Sequence, residues 1–231
     1  MKIVSSLKKM SDFSARAKKI NKTTGFVPTM GALHDGHLSL IRRARRQADF
    51  IVVSIFVNPA QFGPKEDFKI YPRNFKCDAA LCRKAGVDVI FYPNARDIYP
   101  APYRTYVNVE GLSDCLCGRF RPGHFKGVAT IVTKLFNIIR PDIAYFGSKD
   151  AQQALIIKKI ASDLNMPVKV KIMPTVRSRD GLALSSRNAY LNVHQREDAV
   201  VLFEALNLAK KLIKSGSSSP AQVIRRMKQL I

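Results

Sequence analysis

The sequence predicts an α/β fold in which a Rossmann-like parallel sheet carries helices on both faces and a small C-terminal domain follows. β-like apolar runs alternate with helix-like patterns along most of the chain, which is typical of a helix-covered parallel sheet. The length of 231 residues accommodates one large domain and a small appendage. With 46% hydrophobic residues and no low-complexity tract, the composition excludes a disordered or fibrous chain.

Six short apolar runs are predicted as strands, at residues 25–30, 51–57, 88–92, 105–109, 143–147 and 168–173. Between the first two, Leu38, Ile41, Ala44 and Ala48 recur at helical spacing, which completes a βαβ unit. Further helices are predicted at residues 77–85, 128–139 and 151–164.

The pattern changes after residue 173. Residues 174–192 are polar and punctuated by glycine, and helical patterns follow at 194–214 and 220–231. The SGSSS segment at 215–219 is predicted to link these two helices. We therefore place a domain boundary near Arg177, with a Rossmann-like domain over 1–177 and a small C-terminal domain over 178–231.

The charge balance predicts an anionic partner, because 39 Lys and Arg residues against 17 Asp and Glu give a net charge of +22. A nucleic-acid-binding protein is one candidate class. However, the basic residues are spread through helices without the interleaved aromatic residues of a base-stacking platform, so we expect no nucleic-acid partner.

The sequence contains no apolar run of about 18 residues and no apolar N-terminal signal, so we expect a cytoplasmic protein without a membrane partner. The four cysteines, Cys77, Cys82, Cys115 and Cys117, match neither a disulfide framework nor a common zinc signature. They are predicted to be free thiols, and the function of the last two stays open.

The first strand-to-helix connection reads PTMGALHDGH over residues 28–37. Anions bind at such connections because the helix N-terminus presents unpaired N–H groups. The spacing of Gly31 and Gly36 resembles a P-loop, but His37 and Leu38 stand where Lys and Ser or Thr are required, which excludes a Walker A site. His34 and His37 lie on one side of the first helical turn and suit stabilisation of phosphate charge. A capping and a core histidine, or an incomplete metal site, are the alternatives.

Three other segments favour a ligand site. Gln61 follows the second strand, and its amide can donate and accept hydrogen bonds. The RPGHF loop at 121–125 leads into the helix predicted at 128–139. A second strand-to-helix turn carries Lys149, a mobile charge suited to phosphate, and Asp150, a predicted N-cap.

The segment PTMGALHDGHLSLIRRA at 28–44 resembles the His-x-Gly-His signature of the nucleotidylyl-transferase superfamily and, within it, the pantoate–β-alanine ligase family. Further blocks resemble that family in order: VNPAQFGPKEDFKIYPRN at 57–74, the segment 121–153, MPTVRSRDGLALSSRN at 173–188 and YLN at 190–192. The resemblance extends from about residue 20 to Asn192 and is weak beyond it. Because chains of the family usually continue further, the C-terminal domain is expected to be shorter than is usual in the family.

The resemblance implies a two-step reaction. The carboxylate of pantoate attacks the α-phosphorus of ATP to give pantoyl-adenylate and pyrophosphate, and β-alanine then displaces AMP. The residues implied as catalytic are His37, His34, Lys149 and Arg187, with His37 as a proton donor. The residues implied to bind ATP are Met30, Gly31, Ala32, Leu33, His34, Asp35, Gly36, His37, Gly147, Ser148, Lys149, Asp150, Val176, Leu184, Ser185, Ser186 and Arg187. The residues implied to bind pantoate or β-alanine are Gln61, Gln153, Asn58, Arg121 and His124.

The resemblance also implies ATP as a substrate with Mg²⁺, no tightly bound organic cofactor, and a homodimer formed by the N-terminal domain. Asp78 is the candidate magnesium ligand, since carboxylates hold this ion, although Cys77 stands where the family often has a second acid. An adenylyltransferase that keeps its adenylated product is the alternative enzyme. Only the ligase releases AMP in a reaction that needs an amine.

Overall fold

The computed structural model describes residues 1–216 and 219–231, which form two compact units. The first unit spans Met1–Pro174 and the second Thr175–Ile231, so the division falls just before the predicted boundary at Arg177. No described helix is both long and apolar enough to cross a bilayer.

The first unit contains a six-stranded sheet in which every neighbouring pair is parallel, and this confirms the predicted α/β fold. The strands are β1 (Lys2–Val4), β2 (Thr24–Thr29), β3 (Phe50–Ile55), β4 (Val89–Phe91), β5 (Ile143–Gly147) and β6 (Lys169–Met173). Their order is β1-β4-β3-β2-β5-β6. The chain leaves β2 towards β3 and leaves β5 in the opposite direction, towards β6. The pair β2/β5 is therefore the topological switch point, where ligands of open α/β sheets bind.

Helices cover both faces of this sheet. They are α1 (Leu7–Lys19), α2 (Asp35–Arg45), α3 (Phe75–Lys84), α4 (Ala95–Ile98), α5 (Cys117–Phe120), α6 (His124–Ile139) and α7 (Ala151–Asp163). Successive side chains of β2 point to opposite faces. Phe26 packs in one core with residues of α1 and α6, whereas Val27 packs in another with residues of α2 and α3.

One prediction for this unit is wrong, because the segment 105–109, predicted as a strand, joins no sheet in the described chain. Strand β1 and helices α1, α4 and α5 were not predicted. The backbone of segment 105–109 bonds to a helix instead, because the N–H of Val107 donates to Thr130 Oγ1 on α6 at 3.0 Å. Val107 and Val109 pack beside Phe125 and Ala129. The alternating apolar residues of this segment therefore pack on α6 and α7 and do not extend the sheet.

The second unit contains the helices α8 (Val193–Ala199), α9 (Val201–Lys214) and α10 (Pro220–Leu230). The single helix predicted at 194–214 is thus divided at Val200. Helices α9 and α10 contact each other, with Ala205, Ala209 and Val223 buried. The predicted link at 215–219 includes residues 217 and 218, which lie outside the described residues.

Candidate active site

The loop between β2 and α2 is held in shape by three hydrogen bonds. The N–H of Gly31 donates to Thr29 Oγ1 at 3.3 Å, the N–H of Leu33 donates to Asp78 Oδ1 at 2.6 Å, and the hydroxyl of Tyr71 donates to the carbonyl of Gly31 at 3.1 Å. Gly31 has φ +72°, and a Cβ placed on it would lie 2.6 Å from Asp78 Oδ2. Only glycine fits this position without strain.

His34 and His37 form a capping box at the start of α2. The N–H of Gly36 donates to His34 Nδ1 at 3.1 Å, and the N–H of His34 donates to His37 Nδ1 at 3.3 Å. The ring centroids are 4.0 Å apart. Because each Nδ1 accepts a hydrogen bond, each neutral ring carries its proton on Nε2. The pair therefore offers two Nε2–H donors at a helix N-terminus, where anions are stabilised.

Both rings are held in the neutral form. Burial, followed by the neighbouring His34 and the Lys149 ammonium, lowers the pKa of His37 to about 3. Burial and then Lys149 also lower the pKa of His34, while Asp35 and Asp150 act in the opposite direction. At neutral pH the two imidazoles therefore act as hydrogen-bond donors and not as acids.

The turn between β5 and α7 carries Lys149, the predicted phosphate-binding cation. Lys149 lies in a short 3-10 turn, Ser148–Asp150, and its Nζ is 3.3 Å from Asp150 Oδ1 in an exposed ion pair. Asp150 occupies the N-cap position of α7, as predicted, although no described backbone N–H donates to its side chain as a cap. Lys149 lowers the pKa of both histidines, and its binding of phosphate together with them stays a prediction.

Gln61 and Asn58 lie together in and beside the short 3-10 turn Pro59–Gln61, after β3. Both are buried, and Asn58 Nδ2 donates to Gln61 Oε1 at 3.0 Å. Gln61 Nε2 contacts Met30 Sδ at 3.3 Å, which places this amide beside the histidine loop. Gln153, on the first turn of α7, is half-buried, and its side chain makes no hydrogen bond within residues 1–216 and 219–231.

Arg121 and His124 are brought together, but in a network with other protein groups. The guanidinium of Arg121 forms a two-bond ion pair with Glu66, with Nε 2.9 Å from Oε1, and its Nη1 lies 3.1 Å from His124 Nε2. His124 Nδ1 donates to the carbonyl of Gln61 at 2.8 Å. This network supports the Gln61 backbone, and direct substrate contacts by Arg121 and His124 stay a prediction.

Comparisons with known proteins show the family of this chain. A model of the family described as pantoate-beta-alanine ligase matches residues 2–231. The pantothenate synthetase of Moorella thermoacetica is 53% identical over 231 residues, which cover all of this chain and 82% of the relative. The chain belongs to the pantoate–β-alanine ligase family. Because the family match reaches Ile231, the expectation that the resemblance weakens beyond Asn192 is wrong.

Two solved structures of ligase-family proteins are also similar to this chain. The pantothenate synthetase from Thermus thermophilus has a TM-score of 0.94 at 47% identity, covering 100% of this chain and 82% of that one. The pantoate-beta-alanine ligase from Francisella tularensis, complexed with beta-gamma ATP and beta-alanine, has a TM-score of 0.87 at 36% identity. That alignment covers 100% of this chain and 86% of the other.

Asp78, the predicted magnesium ligand, has the surroundings of a loop anchor. Its side chain is only 2% exposed, Oδ1 accepts from the N–H of Leu33, and burial raises the pKa of the carboxyl. Within the described chain no three His, Cys, Asp or Glu side chains converge as a metal site. The assignment of Asp78 as a magnesium ligand stays a prediction, and no step below is routed through the ion.

The predicted ATP-binding residues of the second unit lie on a turn and a short 3-10 helix. The N–H of Leu184 donates to the carbonyl of Val176 at 3.0 Å, which closes the turn. Ser185 precedes the 3-10 helix Ser186–Tyr190, and its Oγ accepts from the N–H of Arg187 at 3.3 Å. The assignment of these residues and of Ser186 to ATP stays a prediction that rests on the family resemblance.

The residues that the sequence did not single out are Glu66, Tyr71 and Tyr99, which all act on predicted site residues. Glu66 and Tyr71 lie within the motif 57–74, so their position in that block was the available signal. Tyr99 lies outside every recognised block, and its hydroxyl reaches Asn58 from the C-terminal end of α4.

Proposed function

We propose that this chain is an AMP-forming ligase that condenses pantoate with β-alanine through a pantoyl-adenylate, as members of its family do. Family membership over residues 2–231 supports the activity. One observation supports the site: the two turns at the switch point carry two neutral imidazoles at the N-terminus of α2 and Lys149 before α7. ATP as a substrate agrees with the cytoplasmic location that we propose, because the nucleotide is abundant there.

The first step joins a pantoate carboxylate oxygen to the α-phosphorus and breaks the bond to pyrophosphate. The nucleophile is already an anion and the leaving group leaves as one, so no proton transfer is required. Nε2–H of His34 and of His37 can donate to phosphate oxygens, and Lys149 adds a mobile charge as negative charge develops. We therefore propose that His37 stabilises charge as a hydrogen-bond donor instead of transferring a proton.

The second step forms the amide bond. The neutral amine of β-alanine attacks the acyl carbon of pantoyl-adenylate, AMP leaves, and the nitrogen releases a proton. On the basis of the family resemblance, Gln61, Asn58 and Gln153 are proposed to hold the pantoyl group through both steps. Arg187, with Ser185 and Ser186, is proposed to bind the nucleotide on the basis of the family resemblance, and Arg187→Ala tests that assignment through the ATP KM.

We also propose a homodimer formed by the first unit. Its most exposed large apolar side chains include Phe120, Leu116 and Leu155, which are 82%, 73% and 55% exposed. Gln152 ties their segments together, since it bonds to the backbone of Cys115 and Cys117 from the first turn of α7. Such a patch on a small protein favours a partner surface. Sedimentation of the wild type and of Phe120→Ser would test this assembly.

An AMP-release assay tests the activity. We expect AMP only when ATP, pantoate and β-alanine are all present, and we expect pyrophosphate from ATP and pantoate alone in a single turnover. Pyrophosphate that depends on pantoate but never leads to AMP would favour the alternative adenylyltransferase. Absence of pantoate-dependent pyrophosphate would contradict both.

A further inference from the structure

The amide of Asn58 has a fixed orientation because two of its four partners are backbone groups. Its Oδ1 accepts from the N–H of Ala60 at 3.3 Å, and its Nδ2 donates to the carbonyl of Gly127 at 3.1 Å. A backbone N–H can only donate and a carbonyl can only accept. The Asn58 amide therefore cannot be reversed without losing both bonds.

This orientation determines how Gln61 meets a ligand. Asn58 Nδ2 donates to Gln61 Oε1 at 3.0 Å, which turns the Gln61 carbonyl oxygen inward. The Nε2 amino group of Gln61 then faces Met30, at 3.3 Å from Sδ. Gln61 consequently presents a donor, and the complementary ligand atom is an acceptor such as a carboxylate or hydroxyl oxygen.

Tyr99 completes this arrangement from the other side of Asn58. Its hydroxyl donates to Asn58 Oδ1 at 2.7 Å, a shorter bond than the one from Ala60. Burial, followed by the neighbouring phenols of Tyr103 and Tyr106, raises the pKa of Tyr99 well above its usual range. The hydroxyl therefore stays protonated and remains a donor.

The close approach of α6 to the 3-10 turn Pro59–Gln61 is a second observation that concerns the Asn58 amide. A Cβ on Gly127 would lie 2.1 Å from the carbonyl oxygen of Ala60, so the helix backbone contacts the 3-10 turn directly. This contact brings the Gly127 carbonyl within reach of Asn58. The turn, the helix and Tyr99 thus converge on one buried amide that is 1% exposed.

We propose that Tyr99 is a positioning residue that acts through Asn58 to hold Gln61 as a hydrogen-bond donor to an oxygen of pantoate. The proposal deepens the proposed function and rests on it. Tyr99 would thereby set the preference of this subsite for an acceptor-bearing acid. It would not take part in ATP binding.

The variant Tyr99→Phe removes one hydroxyl and keeps the ring, and Tyr103→Phe is its matched control. The Tyr103 ring lies 4.9 Å from the Tyr99 ring, edge to face, and Lys134 Nζ lies 4.6 Å above it. We expect Tyr99→Phe to raise the pantoate KM about five- to tenfold, the effect of weakening one buried hydrogen bond, with the ATP KM unchanged. Tyr103→Phe should change neither KM by more than about twofold.

A pantoate KM in Tyr99→Phe equal to that of Tyr103→Phe would overturn the proposal, as would a parallel rise in the KM of ATP. Gln61→Glu tests the donor polarity without altering Tyr99. We expect it to raise the pantoate KM by about 100-fold, because a carboxylate would face the substrate oxygen, and an unchanged KM would also overturn the proposal. If the wild type releases no AMP, the proposed function fails instead, so the two failures are distinguishable.

Discussion

The two strand-to-helix turns at the switch point hold their polar groups in opposite ways. At the start of α2, both histidines are tied to backbone N–H groups and Asp78 braces the loop. At the start of α7, Lys149 is exposed and pairs only with its neighbour Asp150 among the described acidic groups. One turn is therefore preorganised with neutral donors, whereas the other provides a charge that can move.

This difference separates two contributions to the same chemistry. Fixed donors need no reorganisation as negative charge develops on phosphate, which is the main advantage of preorganised sites. A flexible ammonium can follow the phosphate as it changes shape, but its position contributes nothing to the stability of the fold. Activity and stability should therefore respond differently to substitutions in the two turns.

The largest effect on kcat is expected from removing either the His37 imidazole or the Lys149 ammonium. His37→Ala and Lys149→Ala should each lower kcat by about 10²-fold or more, the scale of a lost transition-state donor. Only His37→Ala should also lower the free energy of unfolding, by about 0.5–2 kcal/mol, because it removes part of a helix cap. Steady-state kinetics and urea unfolding of both variants measure the contrast. Equal loss of stability in the two would contradict it.

The next largest effect is expected on the free energy of unfolding of Gly31→Ala, because Asp78 braces the loop that contains Gly31. Gly31 and Gly111 both have φ +72°, but a Cβ on Gly111 meets nothing within 4 Å. Gly111→Ala therefore serves as a control for backbone strain alone, at about 1 kcal/mol. Gly31→Ala should lose about 1–3 kcal/mol more in urea unfolding, because Asp78 must also move. Similar losses in the two variants would show that Asp78 does not brace the loop.

The neutral state of His37 predicts a pH dependence of stability. The unfolded chain binds a proton at this residue below pH 6.5, whereas the folded chain does so only near pH 3. The stabilisation of the fold by neutral His37 is therefore complete above pH 6.5. It is lost as the pH falls from 6.5 towards 3, by up to about 1.4 kcal/mol per pH unit. Unfolding free energies of the wild type and His37→Gln at pH 7.5, 6 and 5 should diverge accordingly. Parallel curves would contradict the lowered pKa.

The smallest effect is expected at the support behind Gln61. Glu66→Gln weakens a partly exposed ion pair, with side chains 24% and 27% exposed, and should reduce stability by about 1 kcal/mol. Since the pair acts through His124 on the Gln61 backbone, the pantoate KM should rise only a few-fold. Glu110→Gln, at an exposed position, is the control. An equal pantoate KM in both variants would show that Glu66 does not support Gln61.

The central sheet was predictable because its strands are short apolar runs between recognisable helices. Strand β1 was missed because three residues at a sheet edge are too few to show an alternating pattern. The segment 105–109 was mistaken for a strand because an extended segment that packs on a helix shows the same alternation of apolar residues as a strand in a sheet. Position in the motifs identified the histidines and Lys149. It could not distinguish whether Arg121 faces a ligand or Glu66, because that depends on a contact across 55 positions of sequence.

The Gly31–Leu33 loop also has a consequence for inhibitor design. Because the backbone groups of this loop and the imidazoles of His34 and His37 are already held in place, a rigid molecule shaped to the α2 side of the site would bind with little loss of protein conformational freedom. The α7 side favours an anionic ligand group, since the exposed Lys149 must leave solvent to contact the ligand. A compound that joins a stiff, acceptor-rich head to a short anionic arm would match both sides.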